Sequence, residues 1–239
     1  MIVSGDPYDF PITGLLDPQR TALVVIDMQR DFCDPLGYMH SRGDDVGAAR
    51  AIVPRILAVL EMARRTGMLV IFTREGHRAN LSDLPHSKRL KTARAGAQIG
   101  AQGPLGRLLI RGEAGWDFID EMQPLAGEVI VDKVGTGAFH ATELHDVLRN
   151  RQIDNVVLTG VTTGVCVTST AREATDRGYS VLVLEDCCAE PDPRNHDMAI
   201  ELLKIEDGYL ATVSSAQHFI SALQGQAADT VTDTRGVNP

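Results

Sequence analysis

The chain has 239 residues, 44% of them hydrophobic, with 32 Asp and Glu against 23 Lys and Arg for a net charge of −9. That apolar content excludes a disordered protein, and an acidic balance with no basic run excludes nucleic acid and anionic lipid as partners, since both need Lys and Arg to displace counterions. A small neutral or cationic ligand fits better; no apolar stretch approaches the roughly 20 residues that span a bilayer and no secretory segment follows Met1, so a cytoplasmic protein is expected.

Residues 1–20 read as a polar, Pro-containing N-terminal arm, 21–223 as one domain, and 224–239, which lack apolar periodicity, as a disordered tail. Thr21 to Ile26 is a continuous apolar run that stops at Asp27, the pattern of a strand buried on both faces. Over 48–65 the residues Ile52, Ile56, Val59, Leu60 and Ala63 recur at helical spacing, with Gly67 as the stop, and 68–73 is a second strand. Residues 74–111 carry Gly, Pro and charged clusters with little periodicity. A connection of that length is expected to border a substrate site or a subunit contact. A third strand over 128–131 ends at Asp132 and Lys133, and 142–150 is a helix with Thr142 as N-cap. A fourth strand (155–159), a helix (165–177) closed by Gly178, a fifth strand (180–184), a helix (196–204), a sixth strand (210–213) and a last helix (216–223) follow. Strands and helices in this alternation predict an α/β fold: a Rossmann-like three-layer α/β/α sandwich around a six-stranded parallel sheet. The four cysteines, Cys33, Cys166, Cys187 and Cys188, show no C-x-x-C spacing and read as reduced thiols.

Ligands of open α/β sheets bind beyond the carboxyl ends of the strands. Three reactive side chains fall there. Asp27 ends the first strand, Lys133 the third, and Cys166 lies six residues beyond Gly160, at the opening of the helix after the fourth. A cysteine at a helix N-terminus beside an ammonium is biased toward thiolate. Asp27 would take the thiol proton and hand it to a leaving amine, Lys133 would stabilise thiolate or oxyanion, and backbone N–H groups of the 160–166 turn would form an oxyanion hole. Singly, each also has a structural reading: a cap or turn for Asp27, a small hydrophobe for Cys166, a solvated side chain for Lys133. Their shared position at strand ends marks a candidate site.

Three blocks, I-D-M-Q-R-D-F (26–32), D-K-V-G-T-G-A-F (132–139) and T-G-V-T-T-G-V-C-V (159–167), resemble in order and spacing the signatures of the isochorismatase-like cysteine hydrolases, over roughly 21–223. The resemblance implies a catalytic triad of Asp27, Lys133 and Cys166, a cis peptide between Val161 and Thr162, oxyanion donors from the backbone of Thr162 and Cys166, no cofactor, and a homo-oligomer, dimer or tetramer. T-R-E-G-H-R (73–78), D-L-P (83–85), R-G-E-x-G-W-D (111–117) and E-D-C-C (185–188) most resemble the biuret hydrolase branch, whose members cleave small urea-like amides without a metal. Nicotinamidases carry an Asp and His metal-binding motif after the second strand. Here Glu75 and His77 stand without the D-x-H pattern, so no metal is expected and His77 reads as a surface or hydrogen-bonding group. Phe32, Glu75, Thr163 and Glu206 are the expected substrate contacts.

Two positions depart from these relatives. Gly164 stands where many carry aspartate, and Glu206, in K-I-E-D-G (204–208), where biuret hydrolases carry a glutamine that bonds the substrate. An ionised Glu only accepts hydrogen bonds, so it suits a donor-rich cation such as guanylurea, unless it is simply a surface Glu near a helix end. The expected function is a cysteine amidohydrolase that cleaves the terminal C–N bond of guanylurea or biuret and releases ammonia through a covalent acyl-enzyme. Triuret, ureidoacrylate or N-carbamoylsarcosine hydrolysis, and a non-catalytic interaction protein on the same scaffold, are the alternatives.

Overall fold

The computed structural model describes residues 1–232, with side chains as far as Gln224. β1 (Thr21–Ile26) is buried along its whole length, as an apolar, β-branched strand covered on both faces must be. Two short helical turns follow, α1 (Arg30–Cys33) and α2 (Tyr38–Ser41). The helix expected over 48–65 is in fact two, α3 (Gly47–Ala51) and α4 (Val53–Arg65). Pro54 accounts for the break: it has no N–H to give the preceding turn and so fits only the first turn of a new helix. β2 (Leu69–Glu75) runs parallel to β1. The next stretch is not one long loop, because it holds α5 (His86–Arg94) and a small antiparallel pair, β3 (Gln102–Gly103) and β4 (Gly106–Arg107). No residue of α5 is buried, so it carries no apolar stripe for periodicity to detect.

β5 (Val129–Lys133), α6 (Leu144–Asn150) and β6 (Asn155–Val161) come next. The N-cap of α6 is Glu143, one residue later than expected, although the Thr142 hydroxyl accepts the Leu144 N–H at 3.3 Å. A π-helical turn (Thr163–Val167) leads into α7 (Thr168–Thr175). β7 (Ser180–Ala189) extends 10 residues, through Glu185 and Asp186, whose charges hide its second half from a hydrophobicity reading. α8 (Pro193–Leu203) is capped by the Asp192 carboxylate, which accepts the Arg194 N–H; a kinked turn, α9 (Ile205–Gly208), then β8 (Thr212–Ser214) and α10 (Ala216–Thr232) complete the chain. α10 continues past residue 224, where a disordered tail was expected, and 233–239 lie outside the described residues.

The six main strands form one parallel sheet in the order β5-β2-β1-β6-β7-β8. Alternate side chains of the buried strands point to opposite faces. Leu23, Val25, Phe72, Val157 and Leu182 pack under α4 and α10 with Ile56, Leu60 and Phe219. Val24, Ile26, Ile71, Val156 and Val183 pack on the other side with Leu148, Ala171 and Ile200 of α6, α7 and α8. The result is the expected three-layer α/β/α sandwich. Each fully buried Leu, Ile or Val contributes about 1.5–3 kcal/mol, so these two layers dominate the stability. The N-terminal arm is docked: Asp6 exchanges backbone hydrogen bonds with Val213 of β8 (2.9 Å each), covering the sheet edge, and Val3 and Phe10 are fully buried. Among the described residues no helix is long and apolar enough to cross a membrane.

Candidate active site

The strand order puts four chemically active side chains side by side. Register pairs Ile26 with Thr73 and with Gly160, and Glu75 with Lys133, so the carboxyl ends of β5, β2, β1 and β6 meet at one point, where the order reverses. β6 can lie this close to β1 only with glycine at 160, since a Cβ there would collide with the Ile26 carbonyl oxygen. The Val161–Thr162 peptide is cis, as the resemblance implied.

Asp27 turns off β1 in the left-handed region (φ 52°), which Asp tolerates better than most residues. Its Oδ1 accepts the Thr73 hydroxyl at 2.6 Å, and its Oδ2 is 2.8 Å from Lys133 Nζ. Lys133 is fully buried, not solvated. Apart from this ion pair with Asp27, its ammonium donates to Glu75 Oε2 (3.1 Å) and the Gly135 carbonyl (3.0 Å), and lies 3.6 Å from Cys166 Sγ. The thiol is also 3.6 Å from Glu75 Oε2. Gln29 fixes Glu75 from behind, accepting its N–H at 2.7 Å and donating to its carbonyl at 3.0 Å. Asp31, from the same sequence block, accepts the Tyr38 and Leu109 N–H groups, and burial pushes its carboxyl up to about 6.

Burial raises the Asp27 carboxyl above the usual aspartate value, only partly offset by Lys133. Burial would raise Glu75 too, but Lys133 and Lys88 on its two oxygens bring it down to about 2. For Lys133 burial works against the charge, and the neighbouring Asp27, Cys166 and Glu75 hold it well above the usual lysine value. Burial pushes the Cys166 thiol up; Lys133 opposes this, and the two carboxylates reinforce it. The resting cysteine is therefore a thiol. This corrects the expectation of a thiolate favoured by the helix dipole: Cys166 sits inside a π-helical turn between two carboxylates, so a base must remove its proton in place. The other three cysteines are buried, and burial pushes Cys33 up to about 12.

Ligand atoms of Asp27, Glu75 and Cys166 lie within 4.8 Å of one another, close enough to share a metal ion. Lys133 Nζ already contacts all three, so the cation of this cluster is the chain's own. His77 is fully buried, with Nδ1 3.4 Å from Asp83 Oδ1, rather than on the surface.

A cavity of about 350 Å³ opens above the thiol. Cys166, Thr162, Glu75 and Phe32 line it, and Tyr38, Met39 and Leu109 extend its apolar wall. Two expected substrate contacts do not. Thr163 is buried and bonds His196 Nδ1 at 2.9 Å, tying the nucleophile's turn to α8. Glu206 is exposed on α9, which precedes β8 and so lies toward the amino ends of the strands, away from the cavity. Spacing alone suggested Glu206; the chain path rules it out as a lining residue. At the other departure, Gly164 gives its N–H to Glu190 Oε2 at 2.7 Å, and a Cβ at 164 would lie 3.3 Å from that oxygen. The carboxylate beside this turn thus comes from residue 190. Arg42, Asp44, Lys88 and Glu190 also line the cavity and had no motif to announce them. Lys88 at least falls within the long segment expected to border the site.

Residues 21–218 match the isochorismatase domain. Ureidoacrylate amidohydrolase RutB of Pantoea ananatis is 34% identical over 215 residues, 86% of this chain and 83% of that protein. A cysteine hydrolase from Pseudomonas syringae pv. phaseolicola superposes with a TM-score of 0.76 at 27% identity, covering 89% of this chain and 96% of the other. N-carbamoylsarcosine amidase from Thermoplasma acidophilum gives 0.63 at 29% identity, covering 82% and 96%.

Proposed function

The chain belongs to the isochorismatase family, and from that membership and its buried Cys166–Lys133–Asp27 cluster we propose that it is a cysteine amidohydrolase cleaving the terminal C–N bond of a small urea-type compound. Hydrolysis of an amide C–N bond is supported by both similarity to RutB and similarity to the carbamoylsarcosine amidase. The observation that carries the proposal is the thiol 3.6 Å from a fully buried ammonium at the floor of the cavity.

In the first half-reaction Asp27 takes the Cys166 proton and Sγ attacks the carbamoyl carbon. Charge develops on the carbonyl oxygen, held by the backbone N–H groups of Thr162 and Cys166 with Lys133 nearby. Asp27 returns the proton to the departing nitrogen, and ammonia leaves. Water then attacks the thioester carbon, Asp27 takes its proton, and the thiol reforms with release of the acid. Asp27 must be ionised to begin the cycle. Because its pKa is raised, kcat/KM is expected to fall, as pH decreases, with an acid limb above 3.8, the ordinary aspartate value; a limb at or below it would remove Asp27 as the base.

The substrate proposed is guanylurea or biuret. Glu206 no longer supports a cationic substrate, but the cavity wall does. Its two cations are each occupied, Arg42 by Asp44 (3.1 Å) and Lys88 by Glu75 (2.6 Å), whereas Glu190 has no cationic partner among the described residues. A donor-rich neutral or cationic urea suits that wall better than the carboxylate of ureidoacrylate or N-carbamoylsarcosine. Ammonia release from a panel of guanylurea, biuret, triuret, ureidoacrylate and N-carbamoylsarcosine tests this. Guanylurea or biuret is expected to have the highest kcat/KM, and a preference for either carboxylate substrate would overturn the assignment.

A further inference from the structure

Glu75 divides its two oxygens between two ammonium groups. Oε2 faces Lys133 and the thiol, while Oε1 accepts Lys88 Nζ at 2.6 Å. Lys88 also donates to the carbonyl of Val134, the residue after Lys133, at 2.7 Å. It reaches this point from α5, a helix that buries none of its own residues. Lys88 and Thr92, four residues apart and so on one helical face, both line the cavity. A helix with no apolar footing, and one lysine driven into the reaction centre, needs a reason other than packing.

We infer that Lys88 is a positioning residue of the reaction centre: it holds Glu75 Oε1 and the end of β5, so that Lys133 stays directed at Asp27 and the Cys166 thiol, and it makes the buried cluster electrically neutral. Asp27 and Glu75 carry two negative charges, Lys133 and Lys88 two positive ones. Moving the thiol proton to Asp27 leaves that balance unchanged. Without Lys88, two buried carboxylates share one ammonium, so the cluster carries a standing negative charge and the thiolate must form beside it. Lys88 faces Glu75 on β2 and, through it, Lys133 on β5; His77 and Asp83 lie on the segment before α5, and Arg42, Asp44, Glu190 and Asp192 are the other charged groups lining the cavity. Apart from Lys133, already shared with Asp27, no other cation among the described residues pairs with Glu75, so none replaces Lys88.

The inference rests on the proposed function only for its consequence in turnover, and its test does not need a substrate. The rate of iodoacetamide alkylation at Cys166, followed by peptide mapping at a fixed pH near 8, reports the thiolate population. In Lys88→Gln this rate is expected to fall about tenfold or more, since a loss of one neighbouring charge shifts a buried group by about one pKa unit or more. Lys88→Arg is expected to recover most of it. α5 is exposed, so both variants should keep the wild-type circular dichroism. A rate in Lys88→Gln equal to or faster than wild type would overturn the inference, as would an equal loss in Lys88→Arg. If wild-type protein instead hydrolyses no member of the urea panel, the proposed function fails while this result stands on its own.

Discussion

Cys166→Ser is expected to reduce turnover of the best urea-type substrate by at least about 10³-fold, while substrate affinity changes only a few-fold. The hydroxyl is nearly isosteric with the thiol but far less acidic, and the bases beside it, Asp27 and Glu75, are carboxylates, too weak to deprotonate an alcohol even with the Asp27 pKa raised by burial. Asp27 accepts a proton from the thiol with the help of Lys133 at 3.6 Å; it cannot take one from serine at a useful rate. The cavity walls, Phe32, Tyr38 and Glu190, are untouched, so binding persists. Isothermal titration with the variant and ammonia release from the same sample separate the two quantities. Turnover within tenfold of wild type would remove Cys166 as the nucleophile.

Lys133→Met is expected to cost about 3–5 kcal/mol of stability at pH 7, besides abolishing activity, because it leaves a buried charge without its partner. Lys88 still holds Glu75, so Asp27 is the group left with only the Thr73 hydroxyl. In the variant the Asp27 carboxyl would be raised further above its unfolded value. A folded-state pKa raised in this way means the folded protein binds more protons than the unfolded one, so the variant gains stability as pH falls toward the raised value. Urea unfolding of wild type and variant at pH 7 and pH 5 should therefore show a smaller deficit at the lower pH. A deficit below about 1 kcal/mol, the same at both pH values, would mean that Lys133 does not neutralise Asp27.

The sheet and the residues at its carboxyl edge are legible in the sequence for one reason: each ends a short, continuous apolar strand. A strand buried on both faces leaves no polar residue until it ends, as β1 does at Asp27; β5 is an edge strand and only partly buried, but its apolar run likewise stops at Asp132 and Lys133. What decides their chemistry is not legible. Lys133 turns inward instead of toward solvent because Asp27 and Glu75, far apart in the chain, wait for it there. The same non-local burial makes Cys166 a thiol, where its position at a helix start argued for thiolate. Glu206 shows the converse error. Spacing along the chain carried it toward the substrate, but the α8-to-β8 crossover returns the chain to the opposite edge of the sheet before residue 206. Glu190, which follows β7, is the acid that lies beside the nucleophile's turn, and β7 runs five residues beyond the apolar stretch that marks it in the sequence.

The covalent acyl-enzyme on Cys166 is the central claim, and mass spectrometry of acid-quenched reactions tests it most directly. During turnover of biuret or guanylurea, the peptide containing Cys166 is expected to carry the mass of the substrate's acyl group after loss of ammonia, and to lose it once substrate is exhausted. Sustained turnover with that peptide unmodified at every time from the first turnover to steady state, or with the acyl group on another residue, would contradict it.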